Sequence, residues 1–470
     1  MAATGAVRLG QPTGRKTKTT QAGLRYRIAV AALLFATLLL AGGASRADEP
    51  RQIIVRLAAI AALAASLWPL QKPPVERARG WLWAALLAYI VVLLQLVPMP
   101  GTWWAALPGH AVYADIVRAS GTASWRPLSL TPDLTLNSLF ALLPATAAVL
   151  ACLYLDAKAR TQLWLWLIGA ALLSACLGFL QLGAGGSALR FYRETSADSA
   201  VGVFANRNHQ AAFLACALPP LGAIVGLRVR EHGRSSPLAI GALAAALLIL
   251  GDLATASRAG LALGLAGSTG AIWAFNASGA RTVEIPRRYR LLALLAGAAT
   301  LLLCALAASH LGVLDRLGHT DPAAESRVQM LEPLFHTGAA FFPFGSGFGS
   351  FETVYRQFEP DALLSTIYMN QAHNEPLQLA IEGGLPALVL LALFLWWWAA
   401  TAQRVLRADL PSSRRPLALA AVTVSALLMA ESLIDYPLRT PLLAALFGLA
   451  CVEMARAAAY RPRALRSSVH

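Results

Sequence analysis

Long apolar runs separated by polar segments dominate the chain. Twelve runs are long enough, or nearly so, to cross a bilayer. Spanning backbone must satisfy its own hydrogen bonds, and no run alternates like a barrel strand. The pattern predicts an all-α polytopic membrane protein with about 12 transmembrane helices. The runs are Ile28–Gly43, Ile53–Leu70, Trp81–Val97, Leu136–Leu155, Leu163–Leu182, Ala211–Leu227, Leu238–Leu253, Leu261–Phe275, Leu291–Leu311, Leu385–Ala402, Leu417–Leu433 and Leu442–Ala457.

The longest polar interruption lies between the ninth and tenth runs, over residues 312–384. A connection of this length is expected to carry structure of its own. Near its end stand His373, Asn374 and Pro376. Asn is a good N-cap and Pro suits a first helical turn, so a helix should begin just after His373.

Composition supports a membrane protein, because 57% of the residues are apolar and only 13% are charged. With the N-terminus in the cytoplasm, 26 of the 39 Lys and Arg residues fall on the cytoplasmic side. This positive-inside bias explains the net charge of +15 better than nucleic-acid binding does. It places the long loop on the outer side of the membrane.

The pattern divides the chain into four parts. Residues 1–27 are predicted to be a disordered, basic cytoplasmic tail, and residues 28–200 to form the N-terminal transmembrane helices. Residues 201–457 form a transmembrane core that includes the loop 312–384, and residues 458–470 a second basic tail. Residues 45–47, Ser-Arg-Ala, resemble a signal-peptidase site, but the preceding basic segment is long for a signal peptide. We favour a retained first helix.

Several polar residues stand at the outer ends of apolar runs. The segment Asn206–His209 either caps the sixth span or forms a polar, cationic pocket. Arg258 heads the eighth span on the side that the charge bias disfavours, and therefore needs a partner. That partner is either Asp252 or Asp435, or an anionic ligand.

His373 is the strongest candidate for proton transfer. The positive end of the following helix would disfavour the imidazolium and favour a nearby anion. A His that is merely hydrogen-bonded at the membrane interface is the competing interpretation. No spacing of His, Cys, Asp or Glu in the sequence suggests a metal site.

Four stretches in order resemble the O-antigen ligase/polymerase superfamily of bacterial inner-membrane proteins, over about Gly202–Pro441. They are GVFANRNHQAAFL, TASRAG, the long loop with SRVQMLEPLF, FGSGFGSFETVYRQFEP and AHNEPLQLAIEGGLP, and ESLIDYPLRTP. The resemblance implies a GT-C-like fold and glycosyl transfer on the periplasmic face, without metal or cofactor. The donor would be a glycan linked through pyrophosphate to undecaprenol. The acceptor would be a sugar hydroxyl, on lipid A–core in ligation or on a second glycan in polymerisation.

The resemblance also implies residue roles. The essential Arg of the family corresponds to Arg258 and its essential loop His to His373, while Arg193 and Arg207 compete for a second Arg. Arginine suits pyrophosphate, because its guanidinium binds phosphate oxygens bidentately, and a neutral His suits deprotonation of the acceptor. Glu431 departs from many relatives, which have His there. Further candidates for substrate binding are Asn206, Asn208, Asn374, Arg327 and Asp435.

Two other functions compete. A transporter or flippase would move a lipid-linked sugar or a small anion, and a protein O-oligosaccharyltransferase would use a protein acceptor. Transporters hold substrate near the bilayer midplane on buried ionisable groups. The predicted spans carry almost no charge at mid-depth, and the polar candidates gather at one face. This distribution favours an enzyme.

Overall fold

The computed structural model describes residues 15–68, 79–121, 125–184, 189–196, 199–280, 329–364 and 369–460. Within these ranges the chain is mainly α-helical, with one two-stranded antiparallel sheet. Seven apolar stretches in the described helices are long enough to cross a membrane. The prediction of an all-α polytopic membrane protein is confirmed at this level. The ninth predicted span, Leu291–Leu311, and Arg327 lie outside the described residues.

The first part of the described chain contains eight helices and the two strands. They are α1 (Arg15–Ala41), α2 (Arg51–Leu67), α3 (Arg79–Leu94), β1 (Pro98–Pro100), α4 (Gly101–Ala105), α5 (Ala111–Ser120), β2 (Trp125–Pro127), α6 (Pro132–Ala141), α7 (Leu143–Leu153) and α8 (Ala157–Ala184). Helix α1 begins within the predicted disordered tail, so residues 15–27 of that tail are helical. The fourth predicted span is divided into α6 and α7.

The remaining elements carry most of the candidate residues. They are α9 (Arg207–His232), α10 (Ser236–Ala254), α11 (Arg258–Asn276), α12 (Leu331–Phe341), α13 (Phe351–Tyr355), a 3-10 turn (Asp361–Leu363), α14 (Glu375–Arg407), α15 (Arg415–Glu431), a second 3-10 turn (Pro437–Arg439) and α16 (Pro441–Ala458).

Helix α9 is the centre of the bundle, because it packs against α8, α10, α11 and α15. Its closest partner is α11, and small residues allow the close approach. A Cβ added at Gly222 would lie 2.2 Å from the Ala271 carbonyl oxygen, and one at Gly260 would lie 2.4 Å from the Ala211 Cβ. Small residues commonly allow this approach between membrane helices. The first residues of α9 and α11 are therefore held side by side.

Helix α14 is bent at Gly384, which has φ 57° and ψ −150° inside the helix. A glycine-rich turn over residues 345–349 packs against this bend. The Gly347 amide donates to the Glu382 carbonyl at 2.9 Å, and the Leu385 amide donates to the Pro343 carbonyl at 2.8 Å. A Cβ at Gly384 would lie 2.2 Å from the same Pro343 oxygen. The bend thus requires glycine, and it joins the loop to the start of α14.

Candidate active site

Asp435 is the centre of the polar cluster, and it lies in the turn between α15 and α16. Its side chain is 1% exposed. The Asn208 amide donates to Oδ2 at 2.5 Å, and the Tyr436 backbone N–H donates to Oδ1 at 2.9 Å. Nδ1 of His373 lies 3.3 Å from Oδ1. A carboxylate from one turn therefore joins the start of α9 to the residue before α14.

The ionisation of Asp435 follows from these neighbours. Burial raises the pKa of the carboxyl, but contact with His373, the charges of His209 and His373 and the hydrogen bond from Asn208 outweigh it. The pKa of Asp435 consequently lies below its usual value. The carboxyl is charged at neutral pH although it is buried.

His373 has a left-handed backbone, with φ 47°, directly before the start of α14. Asn374 caps the helix, because its side chain accepts a hydrogen bond from the Leu377 amide at 3.0 Å. The predicted helix start after His373 is confirmed. The Asn374 side chain also donates to the Leu433 carbonyl at 2.9 Å, and the Glu375 amide donates to the Ser432 carbonyl at the same distance. The start of α14 is thus attached to the turn that carries Asp435.

The His373 ring is partly open to the surroundings. It contacts the Tyr436 ring with centroids 4.9 Å apart, and its side chain is 23% exposed. One edge faces a buried carboxylate, while part of the ring remains accessible. This is an arrangement in which an imidazole can exchange a proton with a ligand.

The two candidate arginines of the bundle occupy equivalent places. Arg207 is the first residue of α9 and Arg258 the first residue of α11, and both are half-buried. The Ser257 hydroxyl caps α11 through the Gly260 amide at 3.0 Å, and it donates to the Asn208 side chain at 2.8 Å. The two helix N-termini are therefore joined through Asn208. Such N-termini favour anions.

The remaining candidates have other surroundings. The Asn206 side chain caps α9 by accepting a hydrogen bond from the Asn208 backbone N–H at 2.8 Å. This agrees with the capping interpretation of that segment. Arg193 is exposed, in a segment that lies beside the start of α9. Ser196 of that segment accepts from the Arg207 amide at 3.4 Å. Asn208 and Asp435 are buried, so they support other groups.

Two further buried residues belong to this region: His209, which the sequence places in the polar segment before the sixth span without a role of its own, and Glu382, which sequence reasoning missed. His209 follows Asn208 and bonds Thr440 through Nδ1 at 3.0 Å. Glu382, in α14, accepts from Gln378 at 3.0 Å and lies 3.3 Å from Arg439. Glu382 stands in a mainly apolar segment, and an ionisable residue in such a segment is itself a signal of function or of a specific partner.

Comparison with known families adds an independent observation. Residues 243–392 match the family model described as O-antigen ligase. The resemblance to the O-antigen ligase/polymerase superfamily is thereby confirmed. The O-antigen ligase match includes Arg258 and His373, whereas Asn208 and Asp435 lie outside it. It supports a role in glycosyl transfer, in O-antigen ligation or polymerisation. No curated protein matches the chain.

Proposed function

We propose that this protein transfers a glycan from an undecaprenyl-pyrophosphate donor to a sugar hydroxyl on the periplasmic face of the bacterial inner membrane. The acceptor is lipid A–core in ligation or a second lipid-linked glycan in polymerisation. The observation that carries the proposal is the contact of His373 with buried Asp435, beside two arginine-bearing helix N-termini. The O-antigen ligase match supports the reaction class.

His373 acts as the base in this proposal. A charged Asp435 at 3.3 Å favours a proton on Nδ1, which leaves Nε2 able to accept the proton of the acceptor hydroxyl. The acceptor oxygen then forms its bond to the anomeric carbon. General base catalysis of this kind contributes about 10²–10⁴-fold to a rate.

The leaving group is held at the starts of α9 and α11. As the bond between the anomeric carbon and the phosphate oxygen breaks, negative charge develops on undecaprenyl pyrophosphate. Arg258 and Arg207 stand at the positive ends of two adjacent helices, where such charge is stabilised. Arg193, in the neighbouring segment, is the alternative to Arg207. Asn206, Asn208, Asn374 and Asp435 support these groups in the proposal.

The test is transfer by purified protein in detergent, with an undecaprenyl-pyrophosphate glycan and with or without lipid A–core. We expect His373→Ala to abolish transfer while the protein stays monodisperse. His336→Ala is the matched control, because that exposed His pairs with Glu332 of its own helix at 3.7 Å and, within the described part of the chain, with no other charged side chain. Transfer at the wild-type rate by His373→Ala would refute the base assignment.

The products separate the possible acceptors. Glycan attached to lipid A–core would identify a ligase, and a lengthened donor without lipid A–core would identify a polymerase. Binding of the donor without transfer to either acceptor would contradict the proposal and favour a flippase or a protein acceptor. Loss of transfer on chelation of metal ions would contradict the role given to the arginines.

A further inference from the structure

His209 is a second imidazole that faces the buried carboxylate of Asp435. It lies in the first turn of α9 and its side chain is 1% exposed. Nε2 lies 4.0 Å from Oδ1 of Asp435, the same oxygen that His373 approaches. Among the described residues, this Nε2 has no hydrogen-bond partner. A buried ring nitrogen without a partner is uncommon and requires a specific reason.

Thr440 determines whether Nε2 of His209 carries the ring proton. Its hydroxyl lies 3.0 Å from Nδ1 of His209, at the start of α16. When the hydroxyl donates to Nδ1, the ring proton is on Nε2 and points toward Asp435. The Tyr436 ring lies against both imidazoles, with centroids 5.2 Å from His209 and 4.9 Å from His373. Asp435 is thus enclosed between two imidazoles that share one aromatic contact.

We propose that His209 is a positioning residue, which orients the Asp435 carboxylate so that Oδ1 faces Nδ1 of His373. Because His209 is buried, it does not reach the substrate in this proposal and acts through Asp435. The inference rests on the proposed function, in which His373 is the base. Glu375, at the start of α14, lies near Asp435, and Arg439, in the second 3-10 turn, lies near Glu375.

The competing explanation is that His209 only fills space against Tyr436. The two rings meet edge to face, at an interplanar angle of 81°, and a phenyl ring would pack in the same way. Substitution with Phe therefore keeps the packing and removes the N–H. Substitution with Gln gives up the ring but supplies an amide N–H that can reach a carboxylate.

The first experiment compares the kinetics of these variants. We expect His209→Phe to lower kcat about 10–100-fold, the range found when a group that orients a metal-ligating side chain is lost, with KM unchanged. His209→Gln should recover most of kcat, and Thr440→Val should lower it in the same direction as His209→Phe. On an Asp435→Asn background, His209→Phe should have little further effect, because both changes interrupt one chain of contacts.

The second experiment does not depend on activity. In protein labelled with ¹⁵N at histidine, the His373 ring signals, assigned with His373→Gln, should show a proton on Nδ1 and none on Nε2. His209→Phe should move these signals toward the other tautomer. Unchanged His373 signals together with wild-type kcat in His209→Phe would overturn the inference while leaving the base assignment intact. Absence of transfer by the wild type would overturn the proposed function, and the ring signals would still decide the role of His209.

Discussion

Two buried carboxylates at opposite ends of α16 have different surroundings. Glu453, near the end of the helix, is paired with Arg160 of α8, and both side chains are nearly inaccessible. Arg160 also donates to the Leu155 carbonyl at 2.8 Å. Asp435, just before the helix starts, faces two imidazoles, one of them partly exposed. Glu453 lies about 12 residues after the start of α16 at Pro441, or about 18 Å along the helix at the α-helical rise.

The difference shows how a buried charge can serve stability or chemistry. The Glu453 pair is closed, because the two opposite charges neutralise each other and both side chains are nearly inaccessible. The Asp435 cluster is open, because its charge is balanced by groups that can gain or lose a proton. Removing the charge of Glu453 should therefore lower the stability of the protein, whereas removing the charge of Asp435 should lower its activity.

The largest effect is expected from Asp435→Asn. The amide has the shape of the carboxylate but no charge to hold the proton on Nδ1 of His373, so we expect kcat to fall about 10²–10⁴-fold. Thermal stability should change far less than activity. Transfer assays and thermal unfolding in the same detergent measure both quantities. Retention of wild-type kcat would remove Asp435 from the mechanism and break the comparison.

Glu453→Ala should lower thermal stability and leave kcat unchanged, the reverse of the result expected for Asp435→Asn. It leaves Arg160 buried without its carboxylate, and the loss of one partner of a buried ion pair typically costs about 3–5 kcal/mol. We expect a large fall in thermal stability and an unchanged kcat for the molecules that remain folded. The double variant Arg160→Met/Glu453→Leu should recover much of the stability, because it removes both charges. A Glu453→Ala protein of wild-type stability would contradict this account.

Gly384→Ala should have a smaller effect on stability. It tests the contact between the glycine-rich turn and the bend in α14. The position has φ 57°, and an added Cβ would meet the Pro343 carbonyl oxygen. Gly233→Ala is the matched control, since that glycine has φ 61° but nothing within 4 Å of an added Cβ. We expect Gly384→Ala to cost about 1–3 kcal/mol more than the control. Equal unfolding temperatures for the two variants would show that the contact with the glycine-rich turn contributes nothing.

The smallest effect is the change with pH in the contribution of Asp435 to folding stability. The pKa of Asp435 lies below its ordinary value of 3.8, so its charged form stabilises the folded state above that pH. This stabilisation is lost as the pH falls through the lower, folded-state pKa. The difference in stability between wild type and Asp435→Asn should therefore be constant from about pH 5 to 8 and shrink in stronger acid. A change between pH 5 and 8 would point to a histidine instead.

Much of this architecture could be predicted from periodicity and composition. Uninterrupted apolar runs can only be helices in a membrane, since their backbone has no other partners there. The start of α14 followed from Asn374 and Pro376, because capping depends on residues adjacent in sequence. Arg258 and His373 were singled out for the same local reason, as polar groups at the ends of apolar spans.

Other features depend on contacts between distant segments. The bend at Gly384 exists because the turn at Pro343 packs against it, which no local pattern encodes. The contacts of His209 and Glu382 could not be predicted from the sequence, because their partners lie 231 and 57 residues away.

The sequence by itself determined that the chain is a helical membrane protein with polar helix starts gathered at one face. Apolar length and capping residues are local properties, and they act on the segment that contains them. Only the tertiary structure decided that Asp435 joins His373 to Asn208, and that His209 faces the same oxygen. A pairing of charges depends on distances of a few ångströms between helices, and these are set by how the helices pack.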